Sequence, residues 1–281
     1  MAARKIAAVA QCEYRGAEYL AVRCAAELID LFPCATDDSA EASIAGDASA
    51  ALRPGATPIR VAAADVVFRP PLLPRTGAAL VSGFMRTHHV KAADDVPAQP
   101  NWFFKGFGSA LAVGDGPLRV PATFEALCEE IEVVLVYVID PTGAPVYVGY
   151  TFGNDLTDIG HFKRLPGHLA YAKLCQPAIL PWLFREPPPA EVTGTVTIER
   201  DGAPAWQGAF RTGADALHYR VDDLVSTLFG YPELTRPGTV HYLYLGADKG
   251  SYQAGFRLDR GDRIIARIEG YELELSNTIG T

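Results

Sequence analysis

Glu130 and Glu132 stand two residues apart where a long apolar run begins, Ile131 to Ile139. In an extended chain alternate residues project to the same side, so the two carboxylates would share a face. Ile131, Val133, Leu135, Tyr137 and Ile139 point one way; Val134, Val136 and Val138 point the other. A strand apolar on both faces is buried on both. Paired carboxylates against an interior are costly unless something positive joins them. The chain then returns through Pro141-Thr142-Gly143-Ala144-Pro145. A hairpin about Gly143 sets residue 132 opposite roughly residue 154, which brings Asp155 within about one register step of Glu132. Three carboxylates in an oxygen-only patch suit a hard divalent cation, Mg²⁺, Mn²⁺ or Ca²⁺, and suit zinc less, which takes His and Cys. The plainer alternative stays open here: Glu129, Glu130 and Glu132 at an exposed strand end, simply solvated.

His88 and His89 are the adjacent pair among six histidines. Imidazole titrates near pH ~6.5 and is the natural proton shuttle, although a surface pair without chemistry reads the same way. Lys105 follows two aromatics in a Gly-rich segment, and Lys173 sits in a helical pattern from His168 to Cys175. The five cysteines are scattered, with no CxxC. That is neither a disulfide framework nor a zinc site, and it points to a reducing compartment.

The elements that must position these groups are mostly strands. Residues Gly77–Phe84, Phe103–Val113, Ile131–Ile139, Val146–Phe152, Val192–Arg200, Val240–Leu245, Arg263–Ile268 and Tyr271–Leu275 carry β-branched or aromatic residues between Gly and Pro turns. Helical spacing predicts one helix over Leu217–Phe229 and another over Ala17–Phe32, where Leu20, Ala21, Cys24, Leu28 and Leu31 recur. Lys5–Cys12 and Ile59–Phe68 read as strands and 35–58 as a surface connection. Pro70, Pro71 and Pro74 mark a soft boundary near 75, dividing a small N-terminal α/β region (1–75) from a larger unit (76–281). The class is strand-dominated α+β.

Composition narrows the function. The chain of 281 residues is 49% apolar and 21% charged, enough to build a sizeable core. A net charge of -8 argues against nucleic-acid binding. No apolar run approaches the ~18 residues of a membrane span, and the first residues lack the apolar stretch of a secretory signal, so a cytoplasmic protein is expected.

Glu130-Ile131-Glu132 followed by Gly153-Asn154-Asp155-Leu156-Thr157 resembles the E-x-E…G-N-D-x-T pattern of the fumarylacetoacetate hydrolase superfamily. Phe104-Lys105-Gly106-Phe107-Gly108-Ser109-Ala110, Lys173 through Pro181, and the tail from Leu258-Asp259-Arg260-Gly261-Asp262 to Leu275-Ser276-Asn277-Thr278 match other segments of that superfamily in order. The stretch after Lys173 is most similar to its sugar-acid dehydratase-like branch. The resemblance implies a mixed β-roll, a homodimer, and Mg²⁺ or Mn²⁺ held by Glu130, Glu132 and Asp155. It implies Lys173 and His89 as catalytic, and Lys105, Ser109 and Gly246 as substrate-binding. The expected substrate is a 2-oxo acid or β-diketo acid reacting through a metal-stabilised enolate. C–C hydrolysis leads; dehydration, decarboxylation and a repurposed, non-catalytic protein are the alternatives. Three departures bear on the choice. Ala92 stands where the hydrolase branch has a water-activating Glu, unless Asp94 or Asp95 replaces it; Ile159 replaces an Arg; Ala247 replaces a Thr.

Overall fold

The computed structural model describes residues 8–25, 27–33, 57–74, 78–91 and 97–280. In chain order come β1 (Ala8–Tyr14), β2 (Ala17–Arg23), β3 (Leu28–Pro33), β4 (Ile59–Ala62), β5 (Val67–Phe68), β6 (Ala79–Phe84) and β7 (Trp102–Phe107). β8 (Pro117–Leu118), β9 (Leu127–Cys128), β10 (Ile131–Ile139), β11 (Pro145–Asn154) and β12 (Thr157–Asp158) follow. Two short helices, α1 (Ile159–Arg164) and α2 (Leu169–Ala172), lead to β13 (Ala178–Ile179), β14 (Leu183–Phe184), β15 (Val192–Arg200) and β16 (Ala203–Thr212). Helix α3 (Val221–Phe229) precedes β17 (Val240–Tyr244), β18 (Arg263–Ile268) and β19 (Leu273–Ile279). The class is strand-dominated α+β, as the sequence predicts.

One large mixed sheet runs β4-β3-β2-β1-β14-β11-β10-β17-β6-β7, with β13 on β11 and β5 on β1; a second runs β16-β15-β18-β19-β8. Most pairs are antiparallel, while β17–β6 and β19–β8 are parallel. β10 lies between β11 and β17. Its odd-numbered face, Ile131, Val133 and Leu135, joins a core shared with Val196, Ile198 and Ile264 of the second sheet. Its even-numbered face, Val134 and Val136, joins a separate core with Val81, Tyr242 and Tyr244. Both faces are dry because each meets its own apolar layer.

The segment Ala17–Phe32 is not a helix but the hairpin β2–β3, with Leu20 paired to Phe32 and Ala21 to Leu31. The residues that mimic helical spacing, Cys24 and Leu28, sit at its turn, where Cys24 N and Ala25 N donate to Leu28 O. Leu20 and Ala21 on one strand and Ile29 and Leu31 on the other carry the burial. β16 also went unforeseen, because Ala-Pro-Ala-Trp-Gln-Gly is mostly small and polar. β1 pairs with β14, so the first strands extend the large sheet. Residues 75–77, at the expected boundary, and most of the expected surface connection lie outside the described residues.

His241 on β17 is buried, donates from Nε2 to Leu234 O at 2.8 Å, and meets the Phe229 ring edge-on. Burial holds its pKa down at about 4, against the opposing pull of the Leu234 carbonyl. In the unfolded chain the ring titrates near ~6.5, so between these values the unfolded state binds more protons. Stability should therefore be complete above pH ~6.5 and fall as pH drops toward 4, by on the order of 2–3 kcal/mol from this group. Urea unfolding across that range should show the slope, and His241→Gln, which cannot take the proton, should make it shallower, with buried His88, also held at about 4 by burial, keeping the rest.

Candidate metal centre

The start of β10 and the end of β11 build the site. The hairpin pairs Glu132 with Gly153 and Ile131 with Asn154, one residue from the register read in the sequence, with an irregularity at Val136/Tyr137. Past the ladder, Asn154 Oδ1 accepts from Glu130 N at 3.0 Å and Asp155 N donates to Glu130 O at 2.8 Å. These bonds hold Glu130 and Asp155 together after strand pairing ends. Gly153 is required by packing: a Cβ there would come within 2.6 Å of the Tyr244 hydroxyl and 2.7 Å of Ala178 O. Tyr244 in turn donates to Ala178 O at 2.9 Å, which fixes β13 against β11.

Glu130, Glu132 and Asp155 each offer an oxygen, and these lie within 4.8 Å of one another. All three are buried, Asp155 completely, so the solvated alternative is excluded. Two buried ammonium groups answer them. Lys173 Nζ donates to Glu130 Oε2 at 2.6 Å, to Asp155 Oδ2, and to Thr157 Oγ1 at 2.9 Å. Its Nζ also lies over the Phe103 ring, 4.4 Å from the centroid. Lys105 Nζ pairs with Asp155 Oδ1 at 2.5 Å, without hydrogen-bond alignment, and donates to Leu156 O and Lys173 O at 2.7 and 2.9 Å. Lys91 Nζ approaches Glu130 Oε1 at 3.6 Å from the rim.

The three acids are not equivalent. Burial pushes the Glu130 carboxyl up, but Lys173 and Lys91 outweigh it and hold it at about 2. Glu132 accepts one hydrogen bond, from Gly246 N at 2.6 Å. Burial, with the Asp155 and Glu130 charges adding to it, drives its pKa well above the ordinary carboxylate range despite Lys173. Burial would neutralise Lys173, yet Asp155, Glu130 and Glu132 raise its pKa and keep it an ammonium. The negative charge is thus only partly answered by the protein. The donor set is all oxygen, Asp155 Oδ1 accepts no hydrogen bond, and at Glu132 burial and the neighbouring acids outweigh Lys173, so that its carboxyl favours the protonated form until a cation joins it. These features fit a hard divalent ion.

A cavity of about 490 Å³ opens above the acids, lined by Glu130, Glu132, Lys173, Lys91, Gly246 and Ala247 among others. Gly246 must be glycine. Its φ is 92°, and a Cβ would fall 2.2 Å from Thr87 Oγ1.

No family model matches the sequence, and no curated protein matches it. Solved structures do. "2-keto-3-deoxy-D-arabinonate dehydratase apo form" aligns with TM-score 0.68 and 17% identity over 97% of this chain and 98% of that one. The same enzyme "complexed with magnesium and 2,5-dioxopentanoate" aligns with TM-score 0.65 and 17% identity over 97% and 98%. "2-hydroxyhepta-2,4-diene-1,7-dioate isomerase from Mycobacterium marinum" gives 0.64 and 18% over 98% of both chains. The chain has the fold of the fumarylacetoacetate hydrolase superfamily.

Within this fumarylacetoacetate hydrolase fold the site residues expected from sequence separate into two groups. Glu130, Glu132, Asp155, Lys173, Lys105 and Gly246 converge, although Lys105 sits beneath the acids and holds Asp155 instead of facing the cavity. His89 is exposed, with its ring against His218 at 5.7 Å, and is not among the described residues of the cavity wall. His88 is buried, its Nε2 3.3 Å from Thr212 Oγ1 and its Nδ1 3.2 Å from Thr87 Oγ1. Ser109 is exposed in a single turn after β7, away from the cavity. Ala92, Asp94 and Asp95 lie outside the described residues. Ile159 and Ala247 do line the cavity. Thr157, two residues after Asp155, was quoted in the motif but given no role; the strand period that pairs Glu130 with Glu132 would have marked it.

Lys173→Met keeps the stem and removes the charge, leaving the buried acids to Lys105. Without metal this variant should lose about 3–5 kcal/mol in urea unfolding. Mg²⁺ should restore more stability to it than to the parent protein, since a cation that binds only the folded state stabilises it. Equal responses of the two proteins to Mg²⁺ would place the cation elsewhere.

Proposed function

We propose that this chain is a divalent-metal-dependent enzyme that eliminates water from a 2-oxo acid, using Glu130, Glu132 and Asp155 to hold Mg²⁺ or Mn²⁺. The observation that carries the reading is the Lys173 ammonium, buried between Glu130, Asp155 and Thr157 on the wall of the cavity. When bound, the divalent ion supplies Lewis-acid stabilisation of the charge that develops as a 2-oxo acid enolises. Dehydration takes a proton from the carbon beside the keto group, for which the carboxylates lining the cavity would be the acceptors, and delivers one to the departing hydroxyl. Lys173 Nζ is a charged donor beside the acids that would hold the ion, and its position against Phe103 keeps it out of bulk water. Lys105 acts beneath, anchoring Asp155 and the Lys173 carbonyl so that the donor does not drift. Gly246 N orients Glu132.

C–C hydrolysis, the leading expectation from sequence, needs a base that holds and deprotonates water. Among the described residues no histidine lines the cavity, and the only His–carboxylate pair there, His161 with Glu125, lies outside it. Elimination requires no such base on water, and the neighbours that support it include a dehydratase.

The test is turnover followed by proton NMR with a 2-keto-3-deoxy sugar acid and with an acylpyruvate, each with Mg²⁺ and with EDTA. The sugar acid should be dehydrated only with metal. Lys173→Met should cost a factor of about 10²–10⁴, the range of a lost general acid, while His89→Ala stays near the parent rate. Turnover of the acylpyruvate alone, with His89→Ala the damaging change, would return the reaction to hydrolysis.

A further inference from the structure

His161 and His168 face each other outside the cavity. Nε2 of His161 lies 3.2 Å from Nδ1 of His168, and the two rings are tilted by 30° with centroids 5.4 Å apart. Neither ring, nor Glu125 beside them, is on the cavity wall. The proposed reaction leaves the pair without a task.

The backbone under the pair is fixed. α1 ends where Leu165 N donates to His161 O at 2.9 Å, and His168 N donates to Leu165 O at 2.8 Å, so the two histidines close a tight turn through Pro166 and Gly167. Asp158 Oδ1 accepts from His161 N at 3.2 Å and from Ala126 N at 3.1 Å, which sets the first turn of α1 against the segment that carries Glu125. Gly160 permits that approach, because a Cβ there would come within 2.7 Å of Ala126 N. Glu125 Oε1 accepts from Arg164 Nε at 2.7 Å and lies 3.5 Å from His161 Nδ1. The nearby cations are engaged: Arg164 with Glu125, and Lys163 over the Tyr252 ring, 4.5 Å from its centroid.

The chemistry follows from which nitrogen holds the proton. A carboxylate beside Nδ1 favours the proton there, which leaves the Nε2 lone pair of His161 aimed at His168. A metal-ligating histidine commonly gives its other ring N–H to a carboxylate, and Glu125 stands in that position. Two imidazole nitrogens bound to one tetrahedral ion at ~2.0–2.1 Å stand roughly 3.3–3.4 Å apart. The separation of 3.2 Å needs little adjustment to reach that. Imidazole suits zinc, copper and nickel, whereas the oxygen-only acids of β10 and β11 suit magnesium and manganese. We propose that His161 and His168 chelate one borderline divalent ion of the zinc class through Nε2 and Nδ1, with water completing its shell and Glu125 orienting His161. This site is separate from the carboxylate centre. It clips α1, which places Ile159 and Phe162 on the cavity wall, to the turn that leads through α2 to Lys173.

Calorimetric titration with Zn²⁺ in excess Mg²⁺ tests it, on the parent chain, His161→Ala, His168→Ala, Glu125→Gln and, as a control, His89→Ala. Melting without metal checks that each variant folds as the parent does. One zinc per chain should bind at this pair in the parent and in His89→Ala. His161→Ala and His168→Ala should each lose that event, and Glu125→Gln should weaken it about tenfold, the lower end for a lost orienting carboxylate. With one equivalent of Cu²⁺, electron paramagnetic resonance should show coupling to two nitrogens in the parent and to fewer in either histidine variant. Zinc binding untouched by both histidine changes, loss in only one of them, no zinc event in the parent, or a copper spectrum of oxygen ligands alone overturns the proposal and leaves the two rings joined by a hydrogen bond only.

Discussion

Three buried carboxylates face two buried ammonium groups, and the surrounding structure keeps that unequal balance in place. Removing charge from water is expensive, so each buried ion must be matched or shifted toward neutrality. Lys173 matches Glu130 and half of Asp155, and Lys105 matches the other half. Glu132 is left with one backbone amide and responds by holding its proton more tightly. A fold gains no stability from such an arrangement for its own sake. Well-packed apolar side chains of the same volume would serve as well or better. The acids that the lysines do not fully match are what the proposed binding of a divalent ion would use, at a cost that the two cores on either side of β10 offset.

The geometry that gathers the charge is ordinary strand physics used at its limit. Period two puts Glu130 and Glu132 on the face that continues as Val134 and Val136. The β10–β11 ladder ends one step before Asp155, and Asn154 takes over by accepting the Glu130 amide. Gly153 lets Tyr244 approach the ladder, and Gly246 lets the following loop close against Thr87. The same loop brings Lys249 to the rim. One short sequence, Glu129 to Glu132, thus sets two acids of the candidate metal centre and pins both ends of the loop that borders the cavity.

Much of this was legible because it is local. A run apolar on both faces can only be a central strand, and β10 matches Ile131–Ile139 at both ends. The hairpin register followed from counting about Gly143, one residue off because the pairs beside the turn, Ile139 with Pro145 and Val138 with Val146, centre on Thr142, an offset that the irregularity at Val136/Tyr137 halves. Where period alone decided, it misled. Cys24 and Leu28 completed a helical pattern over a hairpin in which Ile29 and Leu31 alternate as strand residues do, while Leu20 and Ala21 are buried in separate cores. Side-chain direction at loops was not legible at all. His89 has the right chemistry but turns to solvent, and Ser109 ends on an exposed turn. The placement of Lys105 beneath the acids depends on contacts to Leu156 and Lys173 that are far apart in sequence.

The central claim is that Glu130, Glu132 and Asp155 together hold one hard divalent ion. The most direct measurement is anomalous scattering from a crystal equilibrated with Mn²⁺, collected above and below the manganese edge. The account predicts one strong anomalous peak about 2.0–2.3 Å from an oxygen of each of the three carboxylates, with Lys173 Nζ displaced from Glu130 and Asp155. No peak at the three carboxylates at saturating Mn²⁺, with Lys173 still bridging them, would contradict it.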